Sequence, residues 1–494
     1  TVTFNRSESG MLSYVGRVNY SYDDKYLFEF MLRSDASAKF APQNYWGMFP
    51  SWSAGWVISD EKWFDKDKTK IDFLKIRGSF GILGKDNVNA WLWTQLYTRN
   101  PDKGPIFGTN SSTNTSATIR MPKQGVNPDV HWDKTYKTNF GIDMAFLKNR
   151  MSANLDFYYD MGREMFASHQ GTSYYPNTVG IQPAPENFGE VDTYGVELSL
   201  GWKDKIGKDM SYWVKLTTGY NDNKIRETGW KAAYDFDKLV RNERSDRGLW
   251  GYECIGMFRS YQEINEYFDK YSITKYLGNT KENVHPGMLI YKDVRGQYDE
   301  STGTFGPADG IVDEQDYIKI SHRASNPYGG TLNFGFSYKD FSISAQFGAS
   351  WGAYSLVPTT MRKESYSEYS NVSAMWKDMF VYEDIYDANN IVTVAQNRNA
   401  KYPNIRYSSV NGAPSTFWKV SAATVQLRNM TVAYALPKEW LKIIGISSCR
   451  FNLTCQNVFN FLNPYPEGAW ASWAGSYGYY PNLRKFTLGV NVSF

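Results

Sequence analysis

Hydrophobic and polar residues alternate with a period of two in segments spread along the whole chain. The last segment, residues 480–494, shows this most plainly, because every second residue from Phe486 to Phe494 is apolar. Such alternation predicts a β-strand with one apolar and one polar face. Matching the chain to this pattern predicts about thirteen strands. They are residues 12–22, 26–33, 50–59, 74–83, 135–147, 151–160, 191–203, 210–221, 331–338, 341–350, 417–436 (with a bulge), 448–459 and 480–494.

The connections between these strands alternate between short and long. The short or moderate ones are residues 23–25, 60–73, 148–149, 204–209, 339–340 and 437–447. The long ones are residues 34–49, 84–134, 161–190, 222–330, 351–416 and 460–479. A transmembrane barrel with short periplasmic turns and long extracellular loops has this alternation, whereas a soluble β-sandwich has no need of it. We therefore predict an all-β fold, an antiparallel transmembrane β-barrel.

The last segment is interpreted as the closing strand of that barrel. A long exposed strand edge invites aggregation, and closure against the first strand removes the edge. Bacterial single-chain barrels have even strand numbers, and thirteen is odd. We therefore expect further N-terminal strands beyond this sequence. The alternative for residues 480–494 is an edge strand of a soluble sandwich.

Composition agrees with a barrel and excludes other classes. The mean hydropathy is −0.53 and no apolar run approaches eighteen residues, which argues against membrane-spanning helices. Aromatic residues make up 17% of the chain, which suits rings at two membrane interfaces. The net charge of +3 predicts no nucleic-acid partner.

Candidate catalytic features are weak. Residues 348–352 match the G-x-S-x-G pattern of serine hydrolases, but they lie along an alternating strand rather than at a strand-to-helix turn. The four histidines lack zinc spacing. Cys449 and Cys455 fall on one face of a predicted strand, about 20 Å apart, too far to bridge. We predict no enzyme activity, and we interpret both cysteines as small apolar side chains.

Five segments resemble the SusC-like TonB-dependent transporters of the bacterial outer membrane. They are GRVNYSYDDKYLFEFMLRSDASAKF at residues 16–40, MFPSWSAGWVISDEKWF at 48–64, LKIRGSFGILG at 74–84, NFGEVDTYGVELSLGW at 187–202 and LRNMTVAYALPKEWLKIIGISSCRFNLTCQNVF at 427–459. The resemblance implies that residues 1–494 are the C-terminal portion of a 22-stranded barrel. It also implies a plug domain and N-terminal strands, which this sequence does not contain.

An acidic stretch is the candidate metal site. Family members show a calcium-loop-like run of aspartates here, and this chain keeps Asp293, Asp309, Asp313 and Asp316. Closely spaced carboxylates suit a hard cation such as calcium. However, Arg295 stands where the family has Asn, and the run is interrupted by an insertion up to Ala308. A solvated acidic loop is the alternative. No other cofactor is expected.

Aromatic residues crowd the long loops and are the candidate ligand contacts. Their flat faces stack on sugar rings or on peptide side chains, while packing among loops or at the membrane interface is the alternative. The candidates are Trp91, Trp93, Trp351, Tyr354, Trp376, Trp470, Trp473 and Tyr477.

The resemblance implies TonB-dependent import of a bulky nutrient, an oligosaccharide or oligopeptide, across the outer membrane of a Gram-negative bacterium. It implies a SusD-like surface lipoprotein, TonB acting through the absent N-terminal part, and outer-membrane lipid as partners. The alternatives are a passive porin and a secreted, aromatic-rich β-protein that binds or hydrolyses glycans.

Overall fold

A computed structural model describes residues 9–100, 118–120, 125–167, 181, 183–228, 242–299, 301–363, 373–443, 445–463, 465–466 and 483–494. Within these residues, no helix has the length and apolar character needed to cross a membrane.

Thirteen antiparallel strands form one sheet, in chain order, which confirms the predicted strand number and the all-β fold. The strands are β1 Met11–Tyr22, β2 Tyr26–Ser37, β3 Trp46–Val57, β4 Ile71–Lys85, β5 Asp133–Phe146, β6 Met151–Ala167, β7 Glu186–Ile206, β8 Met210–Glu227, β9 Tyr328–Tyr338, β10 Phe341–Trp351, β11 Thr424–Ala435, β12 Ser448–Asn460 and β13 Lys485–Ser493. The edge strands of the sheet are β1 and β13.

All thirteen strands differ from their predicted bounds at one end or both, and two of them begin several residues later than predicted. The prediction of one strand over residues 417–436 is wrong at its start, where a short 3-10 turn and the separate strand Lys419–Ser421 precede β11. The predicted bulge is present, since the pairing of β11 shifts register near Leu427. The closing strand begins at Lys485, later than predicted, and residues 480–482 lie outside the described part of the chain.

Short turns join the strands at one side of the sheet. The backbone dihedral φ is positive at Asp23 and Asp24 between β1 and β2, and at Lys148 and Asn149 between β5 and β6. Aspartate and asparagine tolerate this left-handed conformation better than most residues. At the other side, the described strands are joined through the long connections.

Cross-strand pairing separates the residues of the sheet into two faces. Ile142 on β5 lies opposite Ile76 on β4 and Leu155 on β6, and Phe140 lies opposite Phe157 on the same face. Most of the residues that alternate with them are polar, among them Lys75, Arg77, Asn139, Asp143, Asn154 and Asp156. This division is the one expected for strands with lipid on one side and water on the other.

The chain divides into two compact units. The first consists of Thr1–Leu198, Asn221–Ala232 and Lys238–Ser245, and its small hydrophobic core contains Phe40, Phe49, Val88, Val130 and Trp132. The second consists of Ser199–Tyr220, Ala233–Asp237 and Asp246–Phe494. Its hydrophobic core lies in the long loops rather than in the sheet.

The described residues of 246–327 and 352–423 fold together in the second unit, and we call them the loop subdomain. Its core contains completely buried large side chains, among them Tyr276, Tyr291 and Trp418. Hydrogen bonds join the two loops: Asn411 Oδ1 accepts from the Leu289 amide at 2.8 Å, and the Tyr291 hydroxyl donates to the Val410 carbonyl at 3.0 Å. These long connections therefore form a packed body.

The remaining elements are short. The helices are Lys66–Thr69, Tyr261–Tyr271, Thr359–Arg362, Ser408–Asn411 and Lys438–Lys442. The 3-10 turns are Pro42–Asn44, Ile58–Asp60, Lys281–Asn283, Glu314–Asp316, Ala374–Asp378, Ile405–Tyr407 and Thr416–Trp418. The strands outside the main sheet are Thr98–Asn100, Thr118–Arg120, Leu249–Gly251, Cys254–Met257, Lys275–Tyr276, Leu289–Tyr291, Tyr298–Asp299, Thr304–Phe305, Ile311–Val312, Ile318–Ser321, Tyr354–Leu356, Ile385–Tyr386, Val392–Val394 and Lys419–Ser421.

All three cysteines are free thiols. Cys449 and Cys455 are buried on β12, opposite Val492 and Phe486 of β13, as predicted for small apolar side chains. Cys254 lies in the loop subdomain, where burial raises the pKa of its thiol to about 11. This thiol is therefore protonated and a poor nucleophile at neutral pH.

Candidate substrate-binding site

An aromatic pocket of about 320 Å³ lies on the loop subdomain. Trp418 and Tyr402 form its buried wall, with their rings stacked at a centroid distance of 6.4 Å. Phe417 packs edge-on against Trp418 at 4.7 Å. Tyr465 comes from the last long connection, and burial raises the pKa of its hydroxyl. The pocket is lined by Val357, Lys401, Tyr402, Phe417, Trp418, Val420, Tyr465 and Pro466.

The polar groups of this pocket are few. Lys401 is exposed, and its ammonium lies 5.5 Å from the centre of the Tyr402 ring. The Trp418 indole N–H donates to the Asn411 carbonyl at 2.6 Å. This N–H is therefore not available to a ligand. The pocket therefore offers aromatic faces and one cation, a combination suited to a flat or apolar group carrying a negative charge or a hydroxyl.

One predicted ligand contact supports this pocket from behind. Trp376 is 4% exposed and packs against Trp418 at 6.1 Å and Tyr402 at 6.4 Å. Its indole donates to the Met361 carbonyl. Trp376 therefore lies in the core, where it positions the pocket wall. Sequence analysis did not identify Tyr402, Phe417, Trp418 or Tyr465, although the adjacent aromatic pair 417–418 was visible as the start of a predicted strand.

The other predicted aromatic contacts do not lie together. Trp91 and Trp93 form a pair in the first unit, with ring centroids 5.8 Å apart and Trp91 half exposed. Trp351 ends β10 on the apolar face and stacks on Tyr328 at 6.0 Å, in the manner of an interfacial girdle residue. Tyr354 is exposed beneath the Lys419 ammonium. Trp470, Trp473 and Tyr477 lie outside the described residues.

The acidic stretch forms a hydrogen-bonded loop. Asp316 is completely buried, and its carboxylate accepts from the amides of Val294, Arg295 and Asp313 at 2.7, 3.1 and 2.9 Å. Burial is the main reason that the pKa of the Asp316 carboxyl is raised. Asp316 therefore joins the two ends of the stretch.

The remaining aspartates serve similar local roles. Asp309 accepts from the Ile311 amide and Asp313 from the Gln315 amide, while Asp293 Oδ2 accepts from the Gly310 amide at 2.7 Å. The other Asp293 oxygen is buried without a hydrogen-bond partner. Among the described residues, no three His, Cys, Asp or Glu side chains are grouped to hold a metal ion. Calcium binding by Asp293, Asp309, Asp313 and Asp316 stays a prediction.

The residues that interrupt the family pattern have a clear place in the fold. The insertion forms a hairpin of Tyr298–Asp299 and Thr304–Phe305. The Arg295 guanidinium lies over the Phe305 ring, 3.8 Å from its centre, and donates to the carbonyls of Gln315 and Tyr317. Arg295 therefore fixes the insertion against the acidic loop.

A second pocket, of about 370 Å³, lies in the first unit at the long-loop side of the sheet. Four of its charged groups form two pairs: Arg33 with Asp35 at 2.6 Å, and Lys39 with Asp86 at 3.3 Å. Lys85 also lines it. The pocket combines both charge signs with the rings of Phe49 and Trp132. Sequence analysis missed it, because its residues come from β1 to β4 and from residues near 132.

A polar network occupies the face of β4, β5 and β6 opposite Ile142. Arg77 pairs with Asp143 at 3.1 Å and with Asp156 at 2.7 Å, and it donates to Asn139 at 3.2 Å. This face is therefore polar and carries paired charges, as expected for the lumen-facing side of a barrel.

The G-x-S-x-G match has no hydrolase geometry. Ser350 lies within β10, which is paired with strands on both sides. Its hydroxyl bonds Asn326 at 3.0 Å and Thr424 at 2.9 Å. A nucleophile elbow needs a sharp strand-to-helix turn, which this strand does not contain.

The sheet, its two faces and its alternating connections are typical of outer-membrane β-barrel proteins. No protein-family model matches the chain. It is 24% identical to TonB-dependent receptor P39 of Formosa agariphila over 98% of this chain and 46% of the relative. It is 26% identical to TonB-dependent receptor SusC of Bacteroides thetaiotaomicron over 98% of this chain and 44% of the relative. The chain thus spans about half the length of these curated relatives.

Solved structures share the fold. The RagAB peptide importer in its closed-closed state superposes with a TM-score of 0.69, covering 99% of this chain and 48% of that one at 19% identity. The resemblance seen in the sequence motifs is confirmed: the chain is similar to SusC-like TonB-dependent receptors over nearly its whole length, and the outer-membrane location expected from that resemblance agrees with these relatives.

Proposed function

We propose that the chain belongs to a transporter that imports a bulky oligomeric nutrient, a peptide or a glycan, across the outer membrane by TonB-dependent active transport. The observation that carries this proposal is the loop subdomain. Its packed core presents a preformed aromatic pocket at the side of the sheet assigned to the cell exterior. A rigid pocket loses less freedom on binding than a mobile loop does.

The pocket volume favours recognition of one unit of an oligomer. A volume of about 320 Å³ is at the small end of ligand pockets. It accommodates one aromatic or proline side chain, or one sugar ring stacked on Phe417 or Tyr465. The Lys401 ammonium at the rim supplies one charge-assisted contact.

A SusD-like surface lipoprotein and TonB are the proposed partners. Relatives named TonB-dependent receptors, SusC among them, and the likeness to the RagAB peptide importer support this assignment. A passive porin is the second candidate, and it needs neither partner. The proposal includes no covalent chemistry, and calcium in the acidic loop is the only proposed cofactor.

Uptake measurements test the proposal. Cells carrying the complete transporter should accumulate labelled oligopeptides or oligosaccharides only when TonB is functional. Uptake that persists without TonB would favour the porin. Native mass spectrometry of the purified complex would show whether a lipoprotein and a bound oligomer are present.

Variants of the pocket test the site. Phe417→Ala and Tyr465→Ala each remove one aromatic face and should weaken binding by about 1–2 kcal/mol, or roughly 5- to 30-fold. Lys401→Gln should weaken the binding of negatively charged ligands only. Lys270→Gln, at an exposed lysine on helix Tyr261–Tyr271, is the control. Unchanged affinity in all three pocket variants would exclude this pocket as the binding site.

A further inference from the structure

A charged cluster lies on the apolar face of the sheet, at the end that joins the long loops. Asp192 on β7 is 2% exposed and holds two arginines. Its Oδ1 lies 2.7 Å from Arg163 Nη1 on β6, and its Oδ2 lies 2.6 Å from Arg226 Nε on β8. The Tyr159 hydroxyl donates to the same Oδ2 at 2.7 Å.

Strand alternation places this cluster on the lipid side. Tyr159 follows Phe157 by two residues on β6, and Arg163 follows Tyr159 by four, so all three share one face. Phe157 lies opposite Phe140 on the apolar face. On β7, Asp192 has the same parity as the apolar residues Val196 and Leu198.

The cluster lies at the level expected for lipid headgroups. The Tyr159 ring stacks on Tyr194 at 6.2 Å, and tyrosines of this kind form the interfacial girdle of a barrel. Arg163 is four residues from the end of β6, and Arg226 is one residue from the end of β8. The two arginines therefore lie beyond the girdle tyrosines, on the side of the cell exterior.

The two guanidinium groups are held in place and remain partly accessible. Their side chains are 27% and 36% exposed, whereas Asp192 is shielded. Arg226 also donates to Asn242 at 3.2 Å. Glu190 lies 3.6 Å from Arg163 Nε and is 41% exposed, so it is a weaker partner of Arg163 than the buried Asp192. Preorganised arginines bind phosphate oxygens through paired N–H groups.

We propose that Arg163 and Arg226 form a binding site for the phosphate group of an outer-leaflet lipid. The acyl chains would lie along the apolar face near Phe157, and the phosphate would contact the two guanidinium groups above Tyr159 and Tyr194. In this site Asp192 is a positioning residue, because it orients both arginines without meeting the lipid. Glu190 competes with the phosphate for Arg163.

Native mass spectrometry of the complete transporter chain tests this site, with monophosphoryl lipid A as the probe and the same glycolipid after phosphatase treatment as the comparison. The probe should bind the unmodified protein, and Arg163→Gln/Arg226→Gln should weaken binding about tenfold or more. Glu190→Gln should strengthen lipid binding, because it removes the carboxylate that competes with the phosphate for Arg163. Arg450→Gln, on the polar face of β12, is the matched control and should change nothing.

The possible outcomes separate the alternatives. Equal binding of the phosphorylated and dephosphorylated lipid would overturn the proposal, as would unchanged binding in the double variant. Inorganic phosphate that binds as tightly as the lipid does would indicate a free-anion site and would also overturn it. Heat-modifiable migration reports whether the double variant folds. If it does not fold, Glu190→Gln decides, because this change keeps Asp192 and both arginines, and unchanged lipid binding would then refute the proposal.

Discussion

Replacing Ile142 by arginine tests directly which face of the sheet meets lipid. Ile142 lies within β5, between Ile76 of β4 and Leu155 of β6. An arginine there would project from the apolar face. On the lipid face of a barrel, arginine at the bilayer midplane costs about 2–4 kcal/mol. That cost raises the unfolded fraction roughly 30- to 900-fold.

Asn139→Arg is the matched control on the same strand. Asn139 faces the other side, where it accepts a hydrogen bond from Arg77. Asp143 and Asp156 already surround this one guanidinium. A second arginine at residue 139 therefore meets compensating charge and should cost little. Ile142→Ala separates the loss of the isoleucine side chain from the effect of the added charge.

Folding into lipid vesicles measures the difference. The complete polypeptide carrying each change would be refolded across a urea series, and the heat-modifiable fraction would be read on a gel. The yield should fall for Ile142→Arg and stay near that of the unmodified protein for Asn139→Arg. Equal yields for the two arginine variants, or a lower yield for Asn139→Arg, would refute the assignment of the faces.

Three further predictions concern the loops. A thiol reagent added to intact cells should label Ile255→Cys, because residue 255 is half exposed in the loop subdomain, and should not label Lys339→Cys in a short turn. The reverse pattern would show that the short turns, and not the long loops, face the cell exterior. Because burial raises the pKa of Asp316, the stability this group contributes is fully present below its unfolded pKa of about 3.9 and is lost as pH rises through the raised value. Proteolysis of the loop subdomain should therefore be slower near pH 4 than at pH 7, and Asp316→Asn should reduce this pH dependence. The same pH profile in Asp316→Asn and in the unmodified protein would contradict this role of Asp316. Calcium at millimolar concentration should slow the same cleavage by neutralising Asp293 and its neighbours, and metal analysis that finds no bound ion would remove the calcium prediction.

The sheet could be predicted from sequence because lipid and water impose a period of two on each strand. On β5 the alternation of Phe140 and Ile142 with polar residues was sufficient to identify the strand and its faces. The bulge near Leu427 was also visible, since one extra residue shifts the apolar phase. Strand ends were less accurate, because β6 continues through Gly162, Arg163 and Glu164, where the alternation of apolar and polar residues is interrupted.

The loop subdomain could not be predicted in this way. Its contacts join residues more than a hundred positions apart, as in the hydrogen bond between Leu289 and Asn411, and no local period marks them. The same holds for the pocket. Trp376 was predicted to be a candidate ligand contact because an indole ring can stack on a ligand, yet its packing against Trp418 and Tyr402 buries it. Composition indicates what an aromatic ring can do, and packing decides whether it is accessible.

Because residues 246–327 and 352–423 share one hydrophobic core, we expect these two loops to change together in evolution, and they should be exchanged together in engineered variants. Transplanting one of them between homologous transporters would leave half a core behind, with Tyr291 and Trp418 deprived of their neighbours. Grafts intended to alter substrate preference should therefore move both loops together with the hairpin of β9 and β10 that separates them in the chain. Natural variation in one loop should likewise be matched by compensating changes in the other.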